Sequence, residues 1–444
     1  MTRLAFLRAL AAIAAVVLFA PLARAMTIEQ ITTPSGLHAW LVREQSAPLV
    51  VLNYAFVGGS SQDSAEKSGA ANLAANLLDE GAGELDSGAF HERLENHAID
   101  MSFRVGRDYF HGTLRTLNEH RDEAFGLLHL ALSAPRFDKE AVERVRSQVT
   151  AGLLRETTDP GTLASHRWWQ TAFPDHAYGR DTEGSLATVP NITVADLRDY
   201  VGRVFARNGL TISVVGDIDA KTAAALVDRA FASLPAQNNL NLVPDTVPRG
   251  LGKTIVVGID VPQPVVDFGG PGIARHDPDF MAAYVVNHIL GGGTFTSRLY
   301  REVREKRGLA YGVSDGLIWF RHTAVMFGGT ATRADRTGEA LAIIQREVRR
   351  MADEGPTAEE LKAAKAFIKA SYMLNLDTSS KIAAQLTQIQ LDRLGADYIQ
   401  RRGAVIDAVT LADAKRVAKR LYSSGLLVTV AGEPKGLTPT RARE

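Results

Sequence analysis

The sequence predicts an α+β protein of two duplicated domains, each a largely antiparallel sheet packed by helices. Three observations carry this. Strand-like and helix-like segments mix without the strict β–α–β alternation of a parallel, doubly wound sheet. The two halves of the chain echo one another. Thr193-Val-Ala-Asp196, a helix and the run LTISVVGD (210–217) parallel Thr410-Leu-Ala-Asp413, a helix and the run LLVTVAGE (426–433), with offsets of 217 at the threonines and 216 at Gly216 and Gly432. Self-similarity at so long a period marks a duplicated unit. Between the halves, residues 237–252 are polar, carry Pro244 and Pro248 and lack periodicity, so they read as a linker.

Composition sets the outer bounds. The chain has 444 residues, 45% hydrophobic, enough for sizeable cores in two or three domains. Fifty basic residues balance fifty acidic ones, so electrostatics give no case for a nucleic-acid partner. Cysteine is absent, which excludes disulfides, thiolate metal sites and cysteine nucleophiles. At the start, Arg3 and Arg8 precede or flank an apolar run from Ala9 to Ala20, and Ala23-Arg24-Ala25 has the small-x-small form. This is the pattern of a secretory signal peptide cleaved after Ala25, and the run is short for a membrane anchor. The expected organisation is a signal peptide over 1–25, an N-terminal domain over 26–236, the linker over 237–252 and a C-terminal domain over 253–444. A periplasmic or secreted protein without a membrane anchor is expected.

The elements follow in order. Strands are expected at Leu37–Val42, Val50–Phe56, Asp100–Val105 and Tyr109–Leu114, which are rich in β-branched and aromatic residues. Ser64–Asp79 and Ser87–His97 read as helices between them. Asn118–Leu132 and Lys139–Glu156 place apolar residues three and four apart and read as long helices. Thr193 opens a helix to about Arg207, a strand spans Leu210–Val215, and Asp219–Leu234 closes the half as a helix. The second half starts with strands at Thr254–Val261 and Val265–Gly269. Helices are expected at Phe280–Leu290 and Ser297–Lys306, then paired strands at Tyr311–Trp319 and Ala324–Gly329. Helices at Arg336–Glu354, Thr357–Leu374, Ser379–Leu391 and Thr410–Tyr422 precede a last strand, Leu426–Ala431. The run Gly291-Gly292-Gly293 lacks the Lys-Ser/Thr of a phosphate loop and reads as a helix stop that lets backbone pass closely. Trp168-Trp169 reads as core or interface, and the charged helix from Asp335 to Arg350 as a solvated face.

The order Gly58–Gly69, a helix, Glu80-Gly81 and paired strands resembles the N-terminal domain of pitrilysin/insulinase-type zinc peptidases, the inverzincins, which include the mitochondrial processing peptidase. The stretches from Leu290 to Leu299 (LGGGTFTSRL) and from Arg304 to Tyr311 (REKRGLAY) are similar to that family's C-terminal domain. The resemblance covers about residues 27–435 and implies a processing-peptidase-like metallohydrolase fold. In that family His-x-x-Glu-His on a helix supplies two zinc ligands and a base that activates water. Here the matching positions hold Asn72, Ala75 and Asn76. Asparagine is a poor zinc ligand and alanine cannot accept a proton. The third ligand is a glutamate on a later helix, and the corresponding stretch, Arg144 to Arg155, has no acidic residue. None of the eleven histidines restores the pattern, and His91 and His97, six apart, do not share a helix face well. No metal or cofactor is expected in this chain.

Arg304 and Tyr311 are the opposite case. A helix, Gly308 as its stop and Tyr311 opening a strand would bring a guanidinium and a phenol together. The resemblance implies that such a pair binds substrate and stabilises the oxyanion, since both side chains donate hydrogen bonds toward developing negative charge. Two readings follow. The first is a catalytically incomplete subunit of a two-chain zinc metallopeptidase, with zinc in a homologous partner subunit and peptides as substrates. The second is a non-enzymatic peptide-binding or scaffold protein that keeps only the chamber. A self-sufficient peptidase with an unrecognised site is a distant third.

Overall fold

A computed structural model describes residues 26–437, so the expected signal peptide lies outside the described residues. The first half builds a six-stranded sheet from β1 (Glu29–Thr32), β2 (His38–Arg43), β3 (Leu49–Val57), β6 (Asp100–Val105), β7 (Tyr109–Leu117) and β8 (Leu210–Gly216), while β4 (Gly81–Ala82) and β5 (Leu85–Asp86) form a separate small ribbon. The second half builds a five-stranded sheet from β9 (Thr254–Val257), β10 (Val265–Pro271), β11 (Ala310–Trp319), β12 (Ala324–Thr332) and β13 (Leu427–Ala431). The spatial orders are β1-β2-β8-β3-β7-β6 and β11-β12-β10-β13-β9. Read in opposite directions, the two sheets superpose as β2/β9, β8/β13, β3/β10, β7/β12 and β6/β11. In each, a single pair is parallel, β2 with β8 and β13 with β9, and the others are antiparallel. The duplicated, largely antiparallel α+β architecture is therefore the observed one.

Helices cover the sheets. The first half carries α1 (Ala70–Ala75), α2 (Ser87–Asn96), α3 (Arg121–Ser133), α4 (Lys139–Glu156), α5 (Pro160–Ala172), α6 (Val194–Val204) and α7 (Ala220–Phe231). The second carries α8 (Phe280–Asn287), α9 (Arg298–Tyr300), α10 (Thr337–Glu354), α11 (Ala358–Leu374), α12 (Ser379–Leu391), α13 (Tyr398–Ala408) and α14 (Leu411–Tyr422). The repeated threonines do the same job in both halves. Thr193 with Asp196 and Thr410 with Asp413 each close a reciprocal capping box that satisfies amides left free at a helix start. Between Phe231 and Thr254 no helix or strand forms.

Two helices cross over between the halves. α5 belongs to the first half but packs on β13 and β10 of the second sheet, and α12 belongs to the second half but packs on β8 and β3 of the first. Trp168 and Trp169 on α5 sit among Val325, Leu427 and Phe327, and the Trp168 indole N–H donates to the Leu427 carbonyl at 3.1 Å. On the opposite side Ile382, Ala383 and Leu386 of α12 bury against Val42, Val51 and Val215. Polar ties repeat at equivalent positions. Thr429 donates to the Ala164 carbonyl at 2.8 Å, and Thr387 bonds Ser213 at 3.0 Å, Ser213 and Thr429 being 216 residues apart in the equivalent strands. Buried carboxylate Asp108 adds a further tie, accepting the Tyr178 hydroxyl at 2.5 Å and the Arg321 amide of the second half at 2.7 Å.

Several local expectations are corrected. The helix expected over Ser64–Asp79 is only α1, preceded by 3₁₀ turns at Ser60–Gln62 and Ala65–Lys67, because Gly69 adopts a left-handed φ of 98°. A side chain there would meet the Glu183 carbonyl at 2.7 Å. The helix expected over Ser297–Lys306 is α9 followed by a π-turn at Arg301–Glu305, and Phe280–Leu290 becomes α8 followed by a π-turn at His288–Gly292. Strand β1, the β4–β5 ribbon and helix α13 lie outside the elements that the sequence pattern predicts. The Asp335–Arg350 stretch is not wholly solvated, since Glu347 on α10 is buried with Arg346 at 3.4 Å and Arg350 at 3.7 Å.

The exchange of α5 predicts its own test. Trp168→Ala should cost about 3–5 kcal/mol, the usual loss for an aromatic residue deleted from a core. Because the cavity opens between the halves, denaturant unfolding followed by tryptophan fluorescence and circular dichroism should separate into two steps. A single coincident transition with unchanged midpoint would contradict it.

Candidate functional site

The first half of the site is built around α1. Asp63, just before Lys67, reaches over the helix start, its Oδ2 accepting the Gly69 amide at 2.9 Å and its Oδ1 the Ala71 amide at 3.1 Å. Burial pushes this carboxyl up to about 7, against the pull of those two amides and of Arg180 and Arg203. Asn72 and Asn76 lie one turn apart on the same helix side, as ligands at i and i+4 would. They spend that geometry on each other: the Asn76 amide donates to the Asn72 carbonyl at 2.8 Å and to its side-chain oxygen at 3.3 Å. Ala75 is buried.

The opposing helix is α4, where a third ligand would stand. Its Arg144 instead grips Glu80 in a bidentate pair, Nη1 to Oε1 at 2.9 Å and Nη2 to Oε2 at 2.6 Å, and Ser87 donates to the same carboxylate at 2.5 Å. The Arg144 hydrogen bonds hold the Glu80 carboxyl below the usual range, whereas burial raises that of neighbouring Asp79. His91 points its Nδ1 at the Ser87 carbonyl, 2.9 Å away. The donor set therefore does not fit zinc: two neutral amides in mutual hydrogen bonds, a methyl group where the base belongs, and an arginine on the facing helix. Among the described residues no group of three histidine, aspartate or glutamate side chains could hold a metal ion. The structure does bring together two histidines far apart in sequence, His97 and His120, with rings 4.9 Å apart and edge-on. His97 is fixed by the Arg93 carbonyl at 2.9 Å.

The second half of the site is a set of exposed donors on a stiff mount. Arg304 lies in the π-turn Arg301–Glu305, a helix irregularity frequent at functional sites. Gly308, at φ 59°, ends the turn, its amide bonding the Arg304 carbonyl at 2.8 Å while the Leu309 amide bonds Val303 at 3.0 Å. The chain then enters β11 through a register shift between Ala310 and Val313, so Tyr311 and Gly312 sit in a bulge. A bulge re-aims a side chain out of the ladder. Thr330 and Thr332 of β12 pin it by donating to the Gly312 and Leu309 carbonyls at 2.7 and 2.5 Å. Tyr311 is consequently 86% exposed, and the Arg304 guanidinium stacks on it at 4.5 Å and on Tyr300 at 5.1 Å. Phe295, itself exposed, meets Tyr300 edge-on at 5.2 Å.

Residues not singled out from the sequence hold this mount in place. Buried Arg298 donates to Glu360 at 2.8 and 2.6 Å and to the Gly355 carbonyl at 2.9 Å. Burial raises the Glu360 carboxyl, but Arg298 and the Thr357 amide outweigh it and hold it down to about 2. The Thr357–Glu360 capping box is legible as a helix start, yet its partner lies 62 residues upstream and nothing local announces it.

With this geometry in view, the chain matches two sequence families: Insulinase (Peptidase family M16) over residues 41–184, and the Peptidase M16 inactive domain over residues 191–368. It is 29% identical over 334 residues to a "Non-peptidase homolog" YmxG of Helicobacter pylori, covering 75% of this chain and 77% of that one. It is 24% identical to an uncharacterised zinc protease of Streptomyces coelicolor, covering 94% and 92%. A crystal structure of a peptidase M16 inactive domain from Pseudomonas fluorescens superposes with a TM-score of 0.87 at 27% identity, covering 94% of this chain and all of that one.

Replacing Asn72→His, Ala75→Glu and Asn76→His together should not yield an efficient peptidase. The third ligand is still missing from α4, and Arg144 places a cation near the facing helix. Zinc content by elemental analysis and peptide turnover check this. A rate within about tenfold of an intact relative would show that the remaining shell matters less than orienting groups usually do.

Proposed function

The chain belongs to the M16, insulinase-type peptidase family and is a homologue of the inactive kind, and from that premise we propose that it is the catalytically incomplete subunit of a two-chain, periplasmic zinc metallopeptidase. A homologous partner subunit would carry His-x-x-Glu-His and the zinc. This chain would contribute Arg304 and Tyr311, which bind the peptide and stabilise the tetrahedral oxyanion.

One observation carries the reading. The metal half of the chemistry is erased at Asn72, Ala75 and Asn76, while the donor half is retained and built. Tyr311 is held outward by a pinned bulge, and Arg304 is stacked between Tyr300 and Tyr311. A phenol this exposed has no packing role that would keep it there. Stacking on both rings orients the guanidinium and leaves its N–H edge to meet carbonyl or carboxylate oxygens. A developing oxyanion asks for such donors, already placed before the reaction begins.

The supporting experiment is purification of the processed protein from its native host. A zinc-bearing partner of similar mass should travel with it through gel filtration, because a stable specific interface buries on the order of 1,600 Å². Elution as a monomer at every salt concentration would favour the scaffold reading instead.

In the assembled complex, Tyr311→Phe should lower turnover by roughly 10²–10³-fold, the usual loss when one oxyanion donor is removed. Zinc content should be unchanged. Arg304→Ala should cost at least as much but also removes alkyl packing, so it is the less specific probe. Steady-state kinetics decide the matter, with gel filtration as the assembly control. Weaker binding at constant turnover would mean ground-state recognition only.

A further inference from the structure

A carboxyl group is buried beneath the Gly291–Gly293 run. Asp315 lies on β11 four residues beyond Tyr311, its side chain turned to the core on the same face as Val313. It is 6% exposed. The π-turn and β12 close tightly over it: a side chain on Gly291 would overlap the Asp315 carboxylate, and one on Gly328 would sit 2.6 Å from its Cβ. Asn287, the last residue of α8 and the entry to the π-turn, faces the acid, as does Tyr422, the last residue of α14. Both Asp315 oxygens, Asn287 Nδ2 and the Tyr422 hydroxyl are buried close to one another, yet none of them makes a well-aligned hydrogen bond.

We propose that Asp315 is a positioning residue for the Arg304–Tyr311 pair: held as the uncharged acid, it locks the Gly291–Gly293 turn, α8 and α14 onto β11, and its ionisation frees that turn and the bulged strand that presents Tyr311. The consequence for ligand binding rests on the proposed role of the pair; the lock itself does not.

Burial and charge set the state of this acid. Buried polar groups left unpaired are rare and costly. The two oxygens of Asp315 face only neutral donors, the Asn287 amide and the Tyr422 hydroxyl, which are poorly aligned with them, so little offsets the cost of burying a charge there. An ionised carboxylate in the same place would be a buried charge without a cation to offset it, the arrangement that folded proteins avoid. The groups facing it are the neutral Asn287 amide on α8, the Tyr422 phenol on α14, and glycine backbone at Gly291 and Gly328. Tyr422 is itself raised well above its ordinary value, by burial and then by Asp315. Burial pushes the Asp315 carboxyl up to about 8, outweighing the pull of Asn287 and of its own amide the other way.

The direction of the effect follows. In an opened turn the carboxyl meets water and titrates near 4, as an ordinary aspartate does. Between that value and about 8 the closed form holds a proton that the open form has released, so raising the pH favours opening. Opening should increase by about tenfold per pH unit across the interior of this window and level off as the pH passes about 8.

Hydrogen-exchange mass spectrometry on the full mature chain tests this, following the segment 288–313 from pH 5.5 to 9.5 after correction for the chemical exchange rate. The wild type should lose protection with rising pH up to about 8, while Asp315→Asn should be flat across the range. Asp315→Ser serves if the asparagine variant does not fold by circular dichroism. A flat wild-type profile, or the same slope in the variant, overturns the proposal. The readout needs neither peptide nor partner subunit. It therefore stands or falls separately from the role assigned to Arg304 and Tyr311.

Discussion

The reciprocal exchange of α5 and α12 is the constraint on which the rest of the molecule hangs. Each helix leaves its own half and covers the exposed face of the other half's sheet, so neither sheet is fully buried alone. A sheet face of Val42, Val51 and Val215, or of Val325 and Leu427, would be an apolar surface in water without its visitor. The two halves are thereby fixed relative to each other by hydrophobic burial, and the polar ties at Ser213 and Thr429 set the register. Duplication supplies the symmetry: equivalent strands offer a hydroxyl at equivalent positions, and both are used across the junction.

That scaffold explains how a metal site can be lost without loss of the fold. A shared metal joins two helices only if other contacts leave them free. Here α1 is fixed at its start by Asp63 and the turn around Gly69, and the segment that follows it is tied to α4 through Glu80 and Arg144. The Asn72–Asn76 pair then completes its own hydrogen bonding within one helical turn. Nothing in this region waits for a cation. Asp63 is held by the Gly69 and Ala71 amides and Glu80 by Arg144 and Ser87, so both carboxyl groups are engaged with protein partners.

The second half has moved the other way. Two π-turns, a left-handed glycine and a bulge follow one another between His288 and Tyr311, each a departure from regular helix or strand geometry. They are held by Arg298 and Glu360 from behind and by Thr330 and Thr332 from the side. Their common product is an exposed phenol stacked with a guanidinium. An exposed donor pair on an irregular mount in one half, against a self-bonded helix turn in the other, is the asymmetry that separates the two duplicated halves.

The sequence by itself determined the fold class, the duplication and most elements, because cap residues, β-branched runs and helical spacing are local signals. Lys139–Glu156 and Ser379–Leu391 are legible to the residue, and the Thr193 and Thr410 caps mark matching helices in both halves. It also determined that Asn72, Ala75 and Asn76 cannot supply two imidazoles and a carboxylate, since that depends on residue type alone. Tertiary structure decided the rest. Gly69 shortens α1 because the backbone of Glu183 comes within reach of it, a contact across more than a hundred residues. The turn that carries Arg304 is anchored just ahead of it by Arg298 on Glu360, and Tyr311 turns outward in a bulge that β12 pins. The destinations of α5 and α12 were equally hidden. An amphipathic pattern records that a helix buries one face, but which sheet it buries against is settled only when both sheets exist.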